Sequence, residues 1–108
     1  MKYRKLGKSG LDVSVIGLGA ITFGDPCDRS QTADVIAAAR ANGINVIDTA
    51  DVYGNKGLSE EYVGDAIRGE RHDWVVMTKF GFPMDERPSQ QPAGSRGYIR
   101  GAVEASLR

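Results

Sequence analysis

The sequence predicts a mixed α/β fold organised on a parallel sheet, and three observations carry that expectation. Apolar runs rich in β-branched residues recur over residues 13–18, 44–48 and 74–79. The segments between and after them repeat apolar residues at helical spacing, so strand and helix alternate in units of roughly 30 residues. Each run also turns polar or glycine-rich at its carboxyl end, the edge at which parallel α/β sheets bind ligands.

Residues 2–13 read as a short hairpin. Tyr3 and Leu6 lead into the turn Gly7-Lys8-Ser9-Gly10, and Leu11-Asp12-Val13 returns. The first strand of the alternation, residues 13–18, is apolar at Val13, Val15, Ile16 and Leu18 and ends in Gly17-Leu18-Gly19-Ala20. The two glycines invite a dinucleotide-binding reading, but Thr22 stands where that fingerprint needs its third glycine, and no helix opens there. A strand exit that lets a ligand approach the backbone is the functional alternative, and a plain loop is the bland one.

The cluster from Asp25 to Ser30 breaks the chain, and Asp28 or Ser30 caps a helix with Thr32, Val35, Ile36 and Ala39 along one stripe. Asn42-Gly43 ends it. The second strand, residues 44–48, leads into Asp48-Thr49-Ala50-Asp51-Val52-Tyr53 and a loop holding Gly54 and Gly57. Ser59 is expected to cap the second helix, with Glu60 and Glu61 in its first turn and Tyr62, Val63, Ala66 and Ile67 as its buried stripe. The third strand covers residues 74–79. Pro88, Pro92 and Gly94 make residues 84–95 a long loop, after which Ser95 caps a third helix with Ile99, Val103 and Leu107 on one side.

Bulk properties remove several function classes. Lys and Arg number 14 and Asp and Glu number 14, so no net charge favours nucleic acid or an anionic membrane. No apolar run approaches the ~20 residues of a membrane span, and none follows Met1-Lys2-Tyr3-Arg4-Lys5 as in a secretory leader. Cys27 is alone, which excludes an internal disulfide and fits a reducing, cytoplasmic setting. Cys27 also has no His or Cys partner in sequence, and no metal-ligand spacing appears. His72 precedes the third strand, away from the polar edge, and reads as a surface residue.

If the second and third strands are parallel neighbours, Asp48, Tyr53 and Lys79 converge on one edge. A phenol titrates near ~10, too high for ready proton exchange at neutral pH. A neighbouring ammonium favours the phenolate, and a carboxylate keeps that ammonium charged and in place. The trio can therefore act as proton donor, tuner and anchor. Such a donor suits carbonyl reduction, in which a cofactor delivers hydride to carbon while oxygen is protonated. Each residue has a bland alternative: Asp48 and Asp51 bonding nearby backbone, Tyr53 wedged over the sheet edge, Lys79 as a solvated strand end. Convergence is what sets the three apart. The strands are expected in the order first, second, third, with Asp48 and Lys79 within ~6 Å and the Tyr53 hydroxyl facing Lys79.

The segment from Tyr3-Arg4-Lys5-Leu6-Gly7 to Asp12-Val13-Ser14, then Gly17-Leu18-Gly19 and Phe23-Gly24, resembles the opening of an aldo-keto reductase. Asn45-Val46-Ile47-Asp48-Thr49-Ala50-Asp51-Val52-Tyr53-Gly54 with Ser59-Glu60 resembles the most specific signature of that family, and Val76-Met77-Thr78-Lys79-Phe80 its lysine strand. Residues 99–108 resemble the helix before its fourth strand, so the resemblance covers residues 1–108 in one register. It implies the N-terminal part of a (β/α)8 TIM barrel, with an N-terminal β-hairpin closing the bottom and three βα units. It implies NADPH as cofactor and a small-molecule aldehyde or ketone as substrate. It also implies catalytic roles for Asp48, Tyr53 and Lys79, with Tyr53 as general acid, and cofactor-side positions at Gly19, Ala20, Ile21, Thr22 and Asp48. The family's catalytic histidine, at the end of the fourth strand, and its main cofactor contacts would lie beyond Arg108.

A barrel needs eight strands, and three leave an open sheet edge that invites self-association. Residues 1–108 are thus expected to be either a fragment of a longer protein or a piece that rebuilds a sheet by association. The alternative to a reductase is a non-catalytic α/β module that keeps the scaffold without the rest of the cofactor site. Saturable quenching of Trp74 fluorescence by NADPH would separate them if Trp74 senses the site.

Overall fold

The computed structural model describes residues 1–82, 84 and 93–108. Its elements run β1 (Tyr3–Lys5), β2 (Asp12–Ser14), β3 (Leu18–Gly19), α1 (Arg29–Ala41), β4 (Val46–Asp48), α2 (Tyr53–Ala66), β5 (Val75–Met77) and α3 (Arg96–Ser106). A single 3-10 turn, Arg71–Asp73, precedes β5. β1 and β2 pair antiparallel as the expected hairpin. β3, β4 and β5 form a parallel sheet in that order, with Leu18 opposite Ile47 and Ile47 opposite Val76. The chain order expected for the three parallel strands is the order observed. A first strand inserted between the other two, the doubly wound alternative, is absent from the described sheet.

The first strand itself needs correction. Residues 13–18 are not one strand: Val13 and Ser14 belong to the hairpin, and only Leu18–Gly19 joins the parallel sheet. The break has a local cause at Ser14. Its hydroxyl donates to the Ile16 carbonyl at 2.6 Å, and its N–H donates to Asn45 Oδ1 at 2.8 Å. That bend keeps Val15 and Ile16 out of the parallel sheet: Val15 N–H still donates to the Lys2 carbonyl of the hairpin, and both side chains stay exposed. Asn45 Nδ2 donates in turn to the Asp12 carbonyl, and the Tyr3 hydroxyl donates to the Gly43 carbonyl at 2.7 Å. All of these contacts fall just before β4, so the hairpin is tied to the amino end of the sheet and leaves the carboxyl end free.

α1 forms where its stripe predicts. Asp28 is the N-cap: its carboxylate accepts from Gln31 N–H, while the Gln31 side chain accepts from Asp28 N–H, a reciprocal capping box. Thr32, Ile36 and Ala39 are buried, whereas Val35 at the stripe's edge is exposed. Gly43 takes φ +78° just past the helix, a left-handed conformation that only glycine adopts cheaply.

α2 departs from expectation at its start. Ser59 is not a cap. Helical geometry begins after four consecutive left-handed residues, Gly54, Asn55, Lys56 and Gly57. Ser59 then lies four residues before Val63 and eight before Ile67, so helix geometry turns it inward, and all three are at most 2% exposed. β4 and β5 are shorter than the runs that predict them: residues 44, 45, 74, 78 and 79 flank the ladder.

The core gathers Phe23 from the β3–α1 loop, Ile36 of α1, Ile47 of β4, Val63 and Ile67 near the end of α2, and Trp74 before β5. Burying side chains of this size contributes about 1.5–3 kcal/mol each. On the outer surface Arg29 pairs with Glu61 and Asp65 and lies over the Tyr62 ring, and Arg40 pairs with Glu70. Exposed pairs of this kind tie α1 to α2 and to the segment that follows it, but add little stability. Ser95 caps α3, accepting from Tyr98 N–H. The apolar side expected of that helix is not buried in the described structure, where Val103 and Leu107 are exposed. The loop expected over residues 84–95 falls mostly outside the described residues.

Candidate active site

Asp48 is the last residue of β4 and is half-buried; Lys79 follows β5 by two residues. The parallel register sets Asp48 opposite Met77, so the two strand ends leave the sheet together. The Lys79 ammonium lies 3.0 Å from Asp48 Oδ1, within the separation expected for the pair. It also donates to the Thr49 carbonyl at 2.7 Å. Tyr53 arrives from the same strand exit, and the ammonium stands over its ring, 4.8 Å from the centroid. The backbone fixes the corner from the other side: Thr49 N–H donates to the Met77 carbonyl and Asp51 N–H to the Lys79 carbonyl. Lys79 is therefore held at both ends by the segment that carries Asp48 and Tyr53.

The electrostatics follow from these contacts. Burial by itself would lower the Lys79 pKa. Hydrogen bonds and charge from Asp48 and Tyr53 outweigh it and hold the ammonium above its ordinary value. Asp51 is a different case. It is buried, one of its carboxylate oxygens lacks a hydrogen-bond partner among the described residues, and desolvation followed by the charge of Glu60 raises its pKa.

The other expected positions fall beside this edge. Gly19 sits opposite Asp48 in the ladder, and Ala20 N–H donates to the Asp48 carbonyl at 2.9 Å. Gly19 is exposed, and a side chain added there would meet nothing within 4 Å. Ile21 and Thr22 are also exposed, and Ala20 is wholly buried, which leaves its backbone rather than its methyl for a ligand.

The sequence does not assign two participants to the site: it passes over Thr49 and marks Ser59 only as a helix cap. The Thr49 carbonyl holds Lys79, and the Thr49 and Ser59 hydroxyls pair at 2.9 Å in the interior. The spacing 59, 63, 67 on one helix face was the available signal for Ser59. A separate cleft of about 870 Å³ runs along α2, from Asp51 to Arg68, and against the end of α3, and it includes none of Asp48, Tyr53 and Lys79. Among the described residues no His, Cys, Asp and Glu cluster could hold a metal ion, and no helix is long and apolar enough to cross a membrane.

Comparison with known proteins agrees with this architecture. The aldo/keto reductase family profile matches residues 15–108. The chain belongs to the aldo/keto reductase family. It is similar to the uncharacterized oxidoreductase YqkF of Bacillus subtilis, 41% identical over an alignment 110 positions long that covers 99% of this chain and 34% of that protein. It is also similar to a probable voltage-gated potassium channel subunit beta of Arabidopsis thaliana, 39% identical across 100% of this chain and 33% of that protein. Among solved structures, the holo form of the aldo-keto reductase AKR11C1 from Bacillus halodurans superposes with a TM-score of 0.87 at 38% identity, over 100% of this chain and 36% of that one. The chain thus spans about a third of the length of the relatives it matches, and its strands and helices correspond to the N-terminal part of a (β/α)8 barrel.

Proposed function

We propose that these residues serve an NADPH-dependent reduction of aldehyde or ketone carbonyls to alcohols, with Tyr53 as the general acid. The observation that carries the reading is the bracketing of Lys79 by Asp48 Oδ1 at 3.0 Å, the Thr49 carbonyl at 2.7 Å and the Tyr53 ring. An ammonium fixed beside a phenol stabilises the phenolate left after proton transfer to a substrate oxygen. Asp48 keeps the ammonium charged and stops it from swinging toward solvent. Membership of an oxidoreductase family, and a relative solved in a holo form, support a reaction that uses a bound cofactor.

The cofactor side fits a flat ring. Gly19, with open space over it among the described residues, lies opposite Asp48, and with Ala20 and the exposed Ile21 and Thr22 it makes up the residues that would hold the nicotinamide end. NADPH, when bound, supplies the hydride to the carbonyl carbon. The protein's own residues orient the carbonyl oxygen toward Tyr53 and deliver the proton to it. A cytoplasmic location accords with this chemistry.

The test is made on the complete natural chain that carries residues 1–108. It should consume NADPH and 4-nitrobenzaldehyde in equal amounts, forming the alcohol. Binding is best read from the fluorescence of NADPH itself: Trp74 is buried at the start of β5, the opposite end from Lys79, and is a poor reporter of the site. A chain that binds no NADPH and reduces no carbonyl in a panel of aldehydes and ketones would leave the non-catalytic module as the correct reading.

A further inference from the structure

We propose that the buried Ser59 and Thr49 hydroxyls form a positioning device that couples the β3 exit to the seat of Lys79. The proposal rests on the reductase reading above and assigns these two residues a part in it. Ser59 Oγ donates to the Ala20 carbonyl at 2.9 Å and shares a 2.9 Å hydrogen bond with Thr49 Oγ1. The Thr49 carbonyl in turn accepts from the Lys79 ammonium at 2.7 Å. Three segments, the β4 exit, α2 and the β3 exit 39 residues before Ser59, therefore meet at one serine hydroxyl. Thr49 and Ser59 are at most 1% exposed, so water cannot substitute for a lost partner.

The geometry gives the link a direction. Ala20 N–H is bound to the Asp48 carbonyl, so Ala20 is held from both sides. A shift of Ala20 moves the candidate nicotinamide side, and a shift of Thr49 moves the carbonyl on which Lys79 rests. The close approach of Gly54 to the Phe23 carbonyl and to Ser59 N leaves the loop no slack to absorb either movement. Neither hydroxyl reaches the solvent-facing side of the corner, so neither touches a substrate. They act through Lys79 and through Ala20.

The experiment compares variants of the complete natural chain. Thr49→Val removes the hydroxyl at nearly constant shape, Thr49→Ser keeps it, and Ser59→Ala removes the central donor. Ile67→Val trims a buried residue of α2 outside the link and serves as a matched loss of packing. Two quantities are read: kcat for NADPH-dependent reduction of 4-nitrobenzaldehyde, and the titration of the Lys79 ammonium by NMR with neither cofactor nor substrate present.

Thr49→Val and Ser59→Ala should lower kcat by about tenfold or more, in line with the cost of misplacing a catalytic group by about 1 Å. They should also make Lys79 titrate at lower pH, with NADPH affinity changed far less than kcat. Thr49→Ser should restore both readouts, and Ile67→Val should lower the thermal midpoint while moving neither. Wild-type kcat and Lys79 titration in Thr49→Val would overturn the proposal, as would an equal effect from Ile67→Val. Should Ser59→Ala fail to fold, the Thr49 pair decides the matter. If the wild type reduces no carbonyl, the reductase reading fails, and the Lys79 titration still decides whether the hydroxyls position it.

Discussion

Replacing Gly54 by alanine tests how the two loops beside the active-site corner are locked together. Gly54 has φ +62° and ψ 51°. An alanine held there incurs about 1–2 kcal/mol from the clash of its Cβ with the following carbonyl. The environment adds more, since the new Cβ would lie 2.3 Å from the Phe23 carbonyl oxygen and 2.7 Å from Ser59 N. Both are backbone atoms, so relief requires the loops to move, and overpacking of that kind costs about 1–3 kcal/mol. Together the loss is about 2–5 kcal/mol, a large share of the ~5–15 kcal/mol that holds a typical protein folded. Gly64, ten residues on in α2, is the internal control: it is exposed, and a Cβ there meets nothing within 4 Å. Gly64→Ala should stabilise by about 0.5–1 kcal/mol through helix propensity alone. Urea unfolding of the complete natural chain, followed by far-ultraviolet circular dichroism, should move in opposite directions for the two variants. A Gly54→Ala midpoint equal to the wild type would refute the argument from close approach.

Other expectations follow from single contacts. Asp28→Ala should cost about 1 kcal/mol in the same unfolding assay, because it removes the carboxylate that accepts from Gln31 N–H at the start of α1. The raised pKa of Asp51 means that the folded chain binds its proton more tightly than the unfolded chain does. Stability should therefore fall as pH rises from the ordinary value of 3.8 toward the folded value, and Asp51→Asn should abolish that decline in a stability–pH profile. Lys79 has linkage of the same sign, in the alkaline range. Its contribution is fully present below 10.5 and is lost as pH rises through the higher folded value, so Lys79→Met should flatten the alkaline limb of the same profile.

What could be read from the sequence was whatever depends on chain direction and period. Asp48 and Lys79 stand at the carboxyl ends of consecutive apolar runs, and a parallel pairing of those runs is enough to bring them together. Ser95 was legible as a cap because it precedes a helical stripe, and the cap of α1 was narrowed to Asp28 or Ser30, of which Asp28 is the one observed. Residues 13–18 misled because apolarity alone does not register the bend that Ser14 imposes through its own hydroxyl and through Asn45, 31 residues away. Ser59 misled because serine before two acids is a common cap pattern. The four left-handed residues that precede it, which turn its hydroxyl inward, are a tertiary consequence of packing Gly54 against Phe23. The apolar side of α3 was legible as a stripe, but a stripe does not say what it packs against.

The role proposed for Tyr53, proton donor in a carbonyl reduction, rests on its hydroxyl. Tyr53→Phe removes the hydroxyl and keeps the ring under the Lys79 ammonium, so it isolates proton transfer from packing. The measurement is kcat for 4-nitrobenzaldehyde reduction alongside the NADPH dissociation constant, in wild type and Tyr53→Phe of the complete natural chain. General acids contribute about 10²–10⁴-fold. In Tyr53→Phe, kcat should fall by at least about a hundredfold, with cofactor affinity nearly unchanged. Near-normal turnover by Tyr53→Phe would contradict that role.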